Sequence, residues 1–318
     1  MSSYRIEEML GMGGMGWVYR AHHELNGRRV ALKVLRADQL TQTRSIDRMM
    51  REATILASVQ HAGLPRFYEC GMLDDGRTWI AMELVGGVAL TEYMKAGMLD
   101  ADFVINFIIQ VADVLAAAHE RGVTHRDLKP DNIILVPDDA QFPMRVIDWG
   151  IAHHLAGARF TDMNEAIGTP TYMAPEQARN GPAGGHCDVY ALGVVAYHAL
   201  TGRAPFIGKS SVEILIQHLN RTAPALAPRC PDAPYGLVEL IERMMSKNFA
   251  ERPTAAEVSS SLGKLRAARQ RAAQLRIKMT GGDGVPMPFY DADVAATPVS
   301  ITVRSVWPNR ETRDDNDE

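Results

Sequence analysis

The chain is poor in cysteine, in long apolar runs and in excess charge of either sign, and each shortage excludes something. Its three cysteines, Cys70, Cys187 and Cys230, are far apart and odd in number. They make neither a metal-spacing pattern nor a disulfide framework, so reduced thiols in a cytoplasmic protein are expected. A formal net charge of −4 is far from the strongly basic balance of a protein that coats nucleic acid. No window approaches the roughly 20 uninterrupted apolar residues of a membrane span. The most apolar stretch, Val104 to His119, is interrupted by Asn106, Gln110 and Asp113 and reads as a buried amphipathic helix. Met1 to Glu8 is polar and runs straight into glycines, without the apolar segment of a secretory signal. No internal repeat is visible.

What is present is an ordinary globular composition, 46% hydrophobic and 23% charged over 318 residues, enough for one large domain or two medium ones. Strands are predicted at Tyr4 to Leu10, Trp17 to Ala21 and Arg29 to Leu35. A helical stretch follows at Ser45 to Ser58, then strands at Phe67 to Leu73 and Arg77 to Leu84, parted by the turn Asp74-Asp75-Gly76. After Gly86-Gly87 helical patterns take over, at Phe103 to Arg121, Val189 to Thr201, Tyr235 to Ser246 and Ala255 to Met279. The last is basic, with Lys264, Arg266, Arg269, Arg271, Arg276 and Lys278. These read as a solvated face, with an anionic lipid surface as the alternative. Beyond Thr280 the chain is rich in Gly, Pro, Asp and Thr and reads as a flexible tail.

Three groups of residues suggest chemistry. Gly11-Met12-Gly13-Gly14-Met15-Gly16 would let a backbone turn tightly and offer N–H groups to phosphate oxygens. A plain hairpin turn explains it equally well. A dinucleotide fold is disfavoured because Trp17-Val18-Tyr19 continues as strand, not helix. Val30-Ala31-Leu32-Lys33 ends an apolar strand on a lysine, which is costly to bury without an anionic partner. Glu52 could be that partner, or both could be solvated. The third group is His125-Arg126-Asp127-Leu128-Lys129-Pro130-Asp131-Asn132, followed by Ile133 to Val136 and then Asp148-Trp149-Gly150.

At this point the chain resembles the eukaryotic-like serine/threonine protein kinase family. The resemblance continues through Gly168-Thr169-Pro170-Thr171-Tyr172-Met173-Ala174-Pro175-Glu176, Asp188-Val189-Tyr190-Ala191-Leu192-Gly193 and Glu251-Arg252-Pro253. It covers about residues 1 to 265, in order. Gly13-Gly14-Met15-Gly16 and Ala174-Pro175-Glu176-Gln177-Ala178 resemble its bacterial branch. The resemblance implies an α+β, bilobal protein kinase fold. The kinase domain would span 1–267, with a small β-rich N-lobe to about residue 83, a hinge at 83–87 and a larger, mainly helical C-lobe over 88–267. A basic helical extension (268–279) and the tail (280–318) would follow.

It also implies roles. Lys33 would contact the α/β-phosphates of ATP and pair with Glu52. Asp127 would be the catalytic base, Lys129 would offset charge on the transferred phosphoryl group, and Asn132 and Asp148 would hold Mg²⁺, with Mn²⁺ as an alternative. Leu10, Gly11, Gly13 and Gly16 would cover the nucleotide. Val18 and Ala31 would lie above the adenine and Ile134 below, with Glu83 and Val85 bonding it through backbone groups and Met82 at the rear. Thr171 would belong to the substrate loop. Lys129 and Thr171 point to Ser/Thr acceptors. Glu176 and Arg252 would form a buried ion pair, and Asp188 would hold the catalytic-loop backbone. Arg126 would bind a phosphate on the activation segment, with Thr161 or Thr169 as autophosphorylation sites. The Ser and Thr residues around Thr297-Pro298 admit further phosphorylation. Partners would be protein substrates and ATP, with a homodimer through the β-rich lobe admitted but marked by no residue pattern. Trp149 stands where the family usually has Phe, and is expected to bias the segment toward its inward, active arrangement. A pseudokinase scaffold is disfavoured because every residue that transfer requires is present. A small-molecule kinase is disfavoured by the Gly168-to-Glu176 segment.

Overall fold

The structure is a computed structural model that describes residues 3–13, 16–35, 53–149, 170–179, 181 and 184–279. Strands β1 (Tyr4–Gly13), β2 (Gly16–His23), β3 (Arg29–Leu35), β4 (Phe67–Met72) and β5 (Thr78–Glu83) form an antiparallel sheet in the order β1-β2-β3-β5-β4. Its two faces follow from the alternation of side chains along a strand. Val30, Leu32 and Val34 turn to the outer face, where with Ala21 and Ala81 they form a small core under Tyr4, Tyr19, Tyr68 and Trp79. Ala31, Lys33 and Leu35 turn the other way. Leu35 and Ile80 join Ala53 and Leu64 in the main core, which is continuous with the helical lobe. Of the helix expected at 45–58, residues 53–58 are described and are helical (α1).

The chain leaves β5 through Gly86-Gly87. A side chain at Gly87 would place its Cβ 2.2 Å from the Leu135 carbonyl oxygen, so the hinge can pass this close only as glycine. Beyond it, β6 (Val88–Ala89), β7 (Ile133–Leu135) and β8 (Met144–Val146) make a small sheet. The helices are α2 (Leu90–Lys95), α3 (Ala101–His119), α4 (Pro175–Ala178), α5 (Gly185–Thr201), α6 (Ser211–Asn220), α7 (Tyr235–Met244) and α8 (Ala255–Met279). Asp100 caps α3 by accepting from Phe103 N–H at 2.9 Å. Helix α3 is apolar and long enough to cross a membrane. Here it is a core helix, burying Ile105, Ile108, Val111 and Leu115 and packing on α5 and α8.

Helix α8 buries Ala255, Val258 and Leu262 and runs unbroken past residue 267. Two of its basic residues are tied back to α3. Arg266 donates to Asn106 Oδ1 at 3.0 Å, and Arg269 holds both carboxylate oxygens of Asp102 at 3.0 and 3.2 Å. The three cysteines are free, and burial pushes their thiols up, as expected of inert reduced thiols.

Candidate active site

Strand register delivers the lysine. Val18 of β2 lies opposite Lys33, which lies opposite Ile80 of β5, while Ala31 lies opposite Met82. Val18, Ala31, Lys33 and Met82 therefore share the face of the sheet that looks toward the helical lobe. Gly13 pairs with Gly16 at the end of the β1–β2 hairpin. A Cβ at Gly16 would fall 2.1 Å from the Val34 carbonyl oxygen, so the hairpin can lie on β3 only with glycine there. The stretch remains a hairpin on both sides of residues 14 and 15, which fall outside the described residues. At the hinge, the Glu83 N–H donates to the Arg66 carbonyl at 2.7 Å, and its carboxylate accepts from Arg66 N–H at 3.0 Å.

From below, the loop from His125 to Asn132 rises between α3 and β7. Its backbone is anchored on Asp188 of α5, a carboxylate 1% exposed. Asp188 accepts from His125 N–H at 2.7 Å and Arg126 N–H at 2.8 Å, and its Oδ2 lies 2.8 Å from His119 Nε2. Burial opposes its charge, but these bonds prevail and hold the carboxyl below its usual range. Among the described residues, Arg126 (φ 66°) and Asp148 (φ 57°) are the non-glycine residues with left-handed backbone. Such conformations persist only where the surroundings impose them. For Arg126 two surroundings are clear: its N–H is fixed by Asp188, and its carbonyl accepts from Gln177 Nε2 at 2.8 Å.

The loop then presents its polar groups. Lys129 Nζ donates to Asp127 Oδ2 at 2.7 Å. Burial disfavours its ammonium, but Asp127, with Asp148 and Asp131, outweighs this and raises its pKa. Asn132, on the 3-10 turn Pro130–Asn132, is buried and donates Nδ2–H to the Asp127 carbonyl at 2.7 Å. That bond fixes the amide orientation and identifies Oδ1 as its remaining acceptor. Ile147 N–H donates to the Asn132 carbonyl at 2.9 Å, which brings Asn132 beside the strand end carrying Asp148. Lys33, 8% exposed, contacts the Asp148 carboxylate. Burial raises the Asp148 pKa, but Lys33, with Lys129, more than reverses this and keeps it ionised.

His125 is fully buried. Its Nε2 lies 2.9 Å from the Ile147 carbonyl, and its Nδ1 accepts from Asp127 N–H at 3.3 Å, which selects the Nε2–H tautomer. On the exit side, Glu176 and Arg252 form a double hydrogen bond at 2.6 and 2.9 Å. Thr171 and Tyr172 lie on the 3-10 turn Pro170–Tyr172, and the Tyr172 hydroxyl is 2.9 Å from His198 Nδ1.

The structure thus gathers Lys33, Asp127, Lys129, Asn132 and Asp148 around one cleft, under a sheet carrying Val18, Ala31 and Met82. Glu52, Thr161 and Thr169 lie outside the described residues. The sequence reading gave no role to His119, Gln177 or His218. A histidine or glutamine inside an apolar helical pattern carries no local signal of what it meets across the fold.

The donor set fits a hard divalent cation. Asn132 Oδ1 and the ionised Asp148 carboxylate are oxygen ligands of the kind Mg²⁺ takes. Among the described residues there is no cluster of three or more His, Cys, Asp or Glu side chains to hold an ion. Phosphate oxygens and water would complete the coordination.

The protein kinase domain family matches residues 4–262. The chain is 37% identical over 255 residues to serine/threonine-protein kinase PrkC of Bacillus subtilis, covering 80% of this chain and 39% of that protein. It is 38% identical over 263 residues to serine/threonine-protein kinase pkn3 of Myxococcus xanthus, covering 80% and 48%. It is 36% identical over 254 residues to serine/threonine-protein kinase PknA of Mycobacterium tuberculosis, covering 78% and 58%. The chain thus spans between 39% and 58% of the length of these relatives. The solved kinase domain of Mycobacterium tuberculosis PknI superposes with a TM-score of 0.64 at 27% identity, covering 82% of this chain and 95% of that one. The chain belongs to the protein kinase family, and the curated relatives it matches are serine/threonine-protein kinases. Members of this family in general use ATP and a divalent metal.

Proposed function

We propose that this chain transfers the γ-phosphate of Mg²⁺-ATP to serine and threonine hydroxyls of other proteins and to its own activation segment. The observation that carries the reading is the convergence of Asp127, Lys129, Asn132, Asp148 and Lys33 on one cleft. Lys129 occupies Asp127 Oδ2, which leaves Oδ1 to accept the hydroxyl proton as the oxygen attacks phosphorus. Lys129 itself stays charged beside the phosphoryl group. Lys33 neutralises the α/β-phosphates, with Glu52 as its carboxylate partner. Asn132 Oδ1 and Asp148 would hold the metal, which when bound neutralises phosphate charge. Leu10, Gly11, Gly13, Gly16, Val18, Ala31, Glu83, Val85 and Ile134 form the nucleotide cleft, with Met82 at its rear. The kinase domain is taken as 1–267, with 268–279 as a helical extension. The reading further includes a bacterial, cytoplasmic signalling kinase, a homodimer, and autophosphorylation at Thr161 or Thr169 anchored by Arg126.

The test is phosphate incorporation from labelled ATP into a generic basic protein with Mg²⁺, compared with Lys33→Met and Asp127→Asn. The wild-type chain labels the acceptor and both variants do not. A wild-type chain that binds ATP but transfers nothing would make it a scaffold. Mass spectrometry of wild-type and Asp127→Asn protein reports the phosphosites, since phosphate persisting in the variant must come from another kinase.

A further inference from the structure

A buried line of side chains runs from α5 and α6 to the loop carrying Thr171. Lys247 Nζ lies 3.1 Å from the Tyr190 hydroxyl and 2.7 Å from the His218 carbonyl. The Tyr190 hydroxyl lies 2.9 Å from His218 Nδ1. His218 Nε2 lies 3.0 Å from the Thr171 carbonyl oxygen. Tyr190 and His218 are fully buried, and Lys247 is half-buried over the Phe206 ring, 4.3 Å from its centroid.

The chemistry of the groups fixes the direction of this line. An ammonium only donates, so the Tyr190 oxygen must accept from Lys247. The Tyr190 hydrogen is then directed to His218 Nδ1, which must be unprotonated to accept it. A neutral imidazole without hydrogen on Nδ1 carries it on Nε2, which faces the Thr171 carbonyl, an obligate acceptor. All three donors point the same way. Burial, with the Lys247 charge beside it, favours the neutral ring. Each link is an ordinary hydrogen bond, but a buried series polarises its members.

We propose that Lys247, Tyr190 and His218 form a one-directional hydrogen-bond relay that holds the Thr171 loop in its substrate-binding shape, with His218 as a positioning residue for the peptide. The inference rests on the protein-kinase reading and on Thr171 as a substrate-loop residue. The relay stands apart from the nucleotide cleft, so it should act on peptide recognition and leave nucleotide binding alone.

Two near-isosteric substitutions separate the two ends of the ring. Gln matches the Nε2 donor of His, and Asn matches the Nδ1 position as an acceptor. The probe is a positional library of Ser/Thr peptides, with peptide KM, ATP KM and kcat measured separately. His218→Asn is expected to raise peptide KM about tenfold, roughly the worth of one hydrogen bond, and to blur residue preference next to the acceptor. His218→Gln stays within about threefold of wild type because the donor to Thr171 survives. ATP KM is unchanged in both. Equal behaviour of Asn and Gln, or a parallel rise in ATP KM, would overturn the relay. Wild-type protein without transfer to any peptide would sink the kinase reading beneath it, whereas active wild type with silent variants sinks the relay alone. Should His218→Asn fail to fold, nitrogen-15 NMR of the histidine rings decides. Wild-type His218 must show the Nε2–H tautomer. A wild-type Nδ1–H ring would refute the proposal.

Discussion

Trp149 packs its indole against the buried imidazole of His125, with ring centroids 4.9 Å apart, and donates Nε1–H to the Val146 carbonyl at 2.8 Å. The residue is 5% exposed. The polar edge that a larger aromatic brings to a buried site is thus satisfied locally, and the ring is held inward beside the Asp148 that it follows. A phenylalanine could keep the ring contact but not the hydrogen bond.

Trp149→Phe should therefore lower stability by about 1–3 kcal/mol, from the lost bond and the smaller volume. It should also loosen the inward arrangement, reducing basal activity and increasing affinity for inhibitors selective for the outward state. Chemical denaturation and a panel of both inhibitor classes measure this. Unchanged activity together with unchanged preference would mean that Trp149 is an ordinary substitute for Phe.

The Glu176–Arg252 pair is nearly dry, and the Arg252 guanidinium also donates to the His186 and Ser246 carbonyls at 2.9 and 2.7 Å. Removing one partner strands the other charge. Arg252→Ala or Glu176→Ala should cost about 3–5 kcal/mol and lose activity along with stability. The double variant Glu176→Gln, Arg252→Met should recover part of that loss in a urea titration, because no buried charge is left unpaired.

His218 gives stability a distinctive pH dependence. Burial, then the nearby Lys247 charge, lowers its pKa from 6.5 to about 4. Between these values the unfolded chain binds the proton more readily, so stability is complete above about 6.5 and falls as pH drops toward 4. The full loss is about 3 kcal/mol. Asp148 and Asp188, both held below the usual carboxylate range, add their losses at lower pH. Urea titrations from pH 7.5 to 4.5 should show the first window, and His218→Gln should flatten it.

The two aspartates of the cleft should fail differently. Asp148→Asn is expected to weaken metal-dependent nucleotide binding, because it removes the anionic oxygen ligand and the partner of Lys33. Asp127→Asn should leave nucleotide affinity within about threefold while lowering transfer by about 10²–10⁴-fold, the usual worth of a general base. Calorimetric titration of ATP with and without Mg²⁺, beside turnover, distinguishes them. Equal loss of binding in both would refute the assigned roles.

The sequence alone determined the two lobes, the face of the sheet that carries Lys33 and the local relation of Asp127, Lys129 and Asn132. Strand alternation puts Ala31 and Lys33 on one face whatever the rest of the chain does. Asp127, Lys129 and Asn132 are close enough in sequence for one loop and one 3-10 turn to fix their relation. These are local constraints, and local constraints can be read from residue order. Only the tertiary structure decided where Asp188 points, which tautomer His125 adopts and how Trp149 satisfies its N–H. It also showed that His218, 47 residues from Thr171, reaches that loop. Arg266 and Arg269 read as part of a solvated basic face and stay exposed, and the fold also gives them bonds to Asn106 and Asp102, 160 and 167 residues away. A buried polar group takes whichever partner the packed fold brings within about 3 Å, and that partner leaves no mark on the residues beside it in the chain.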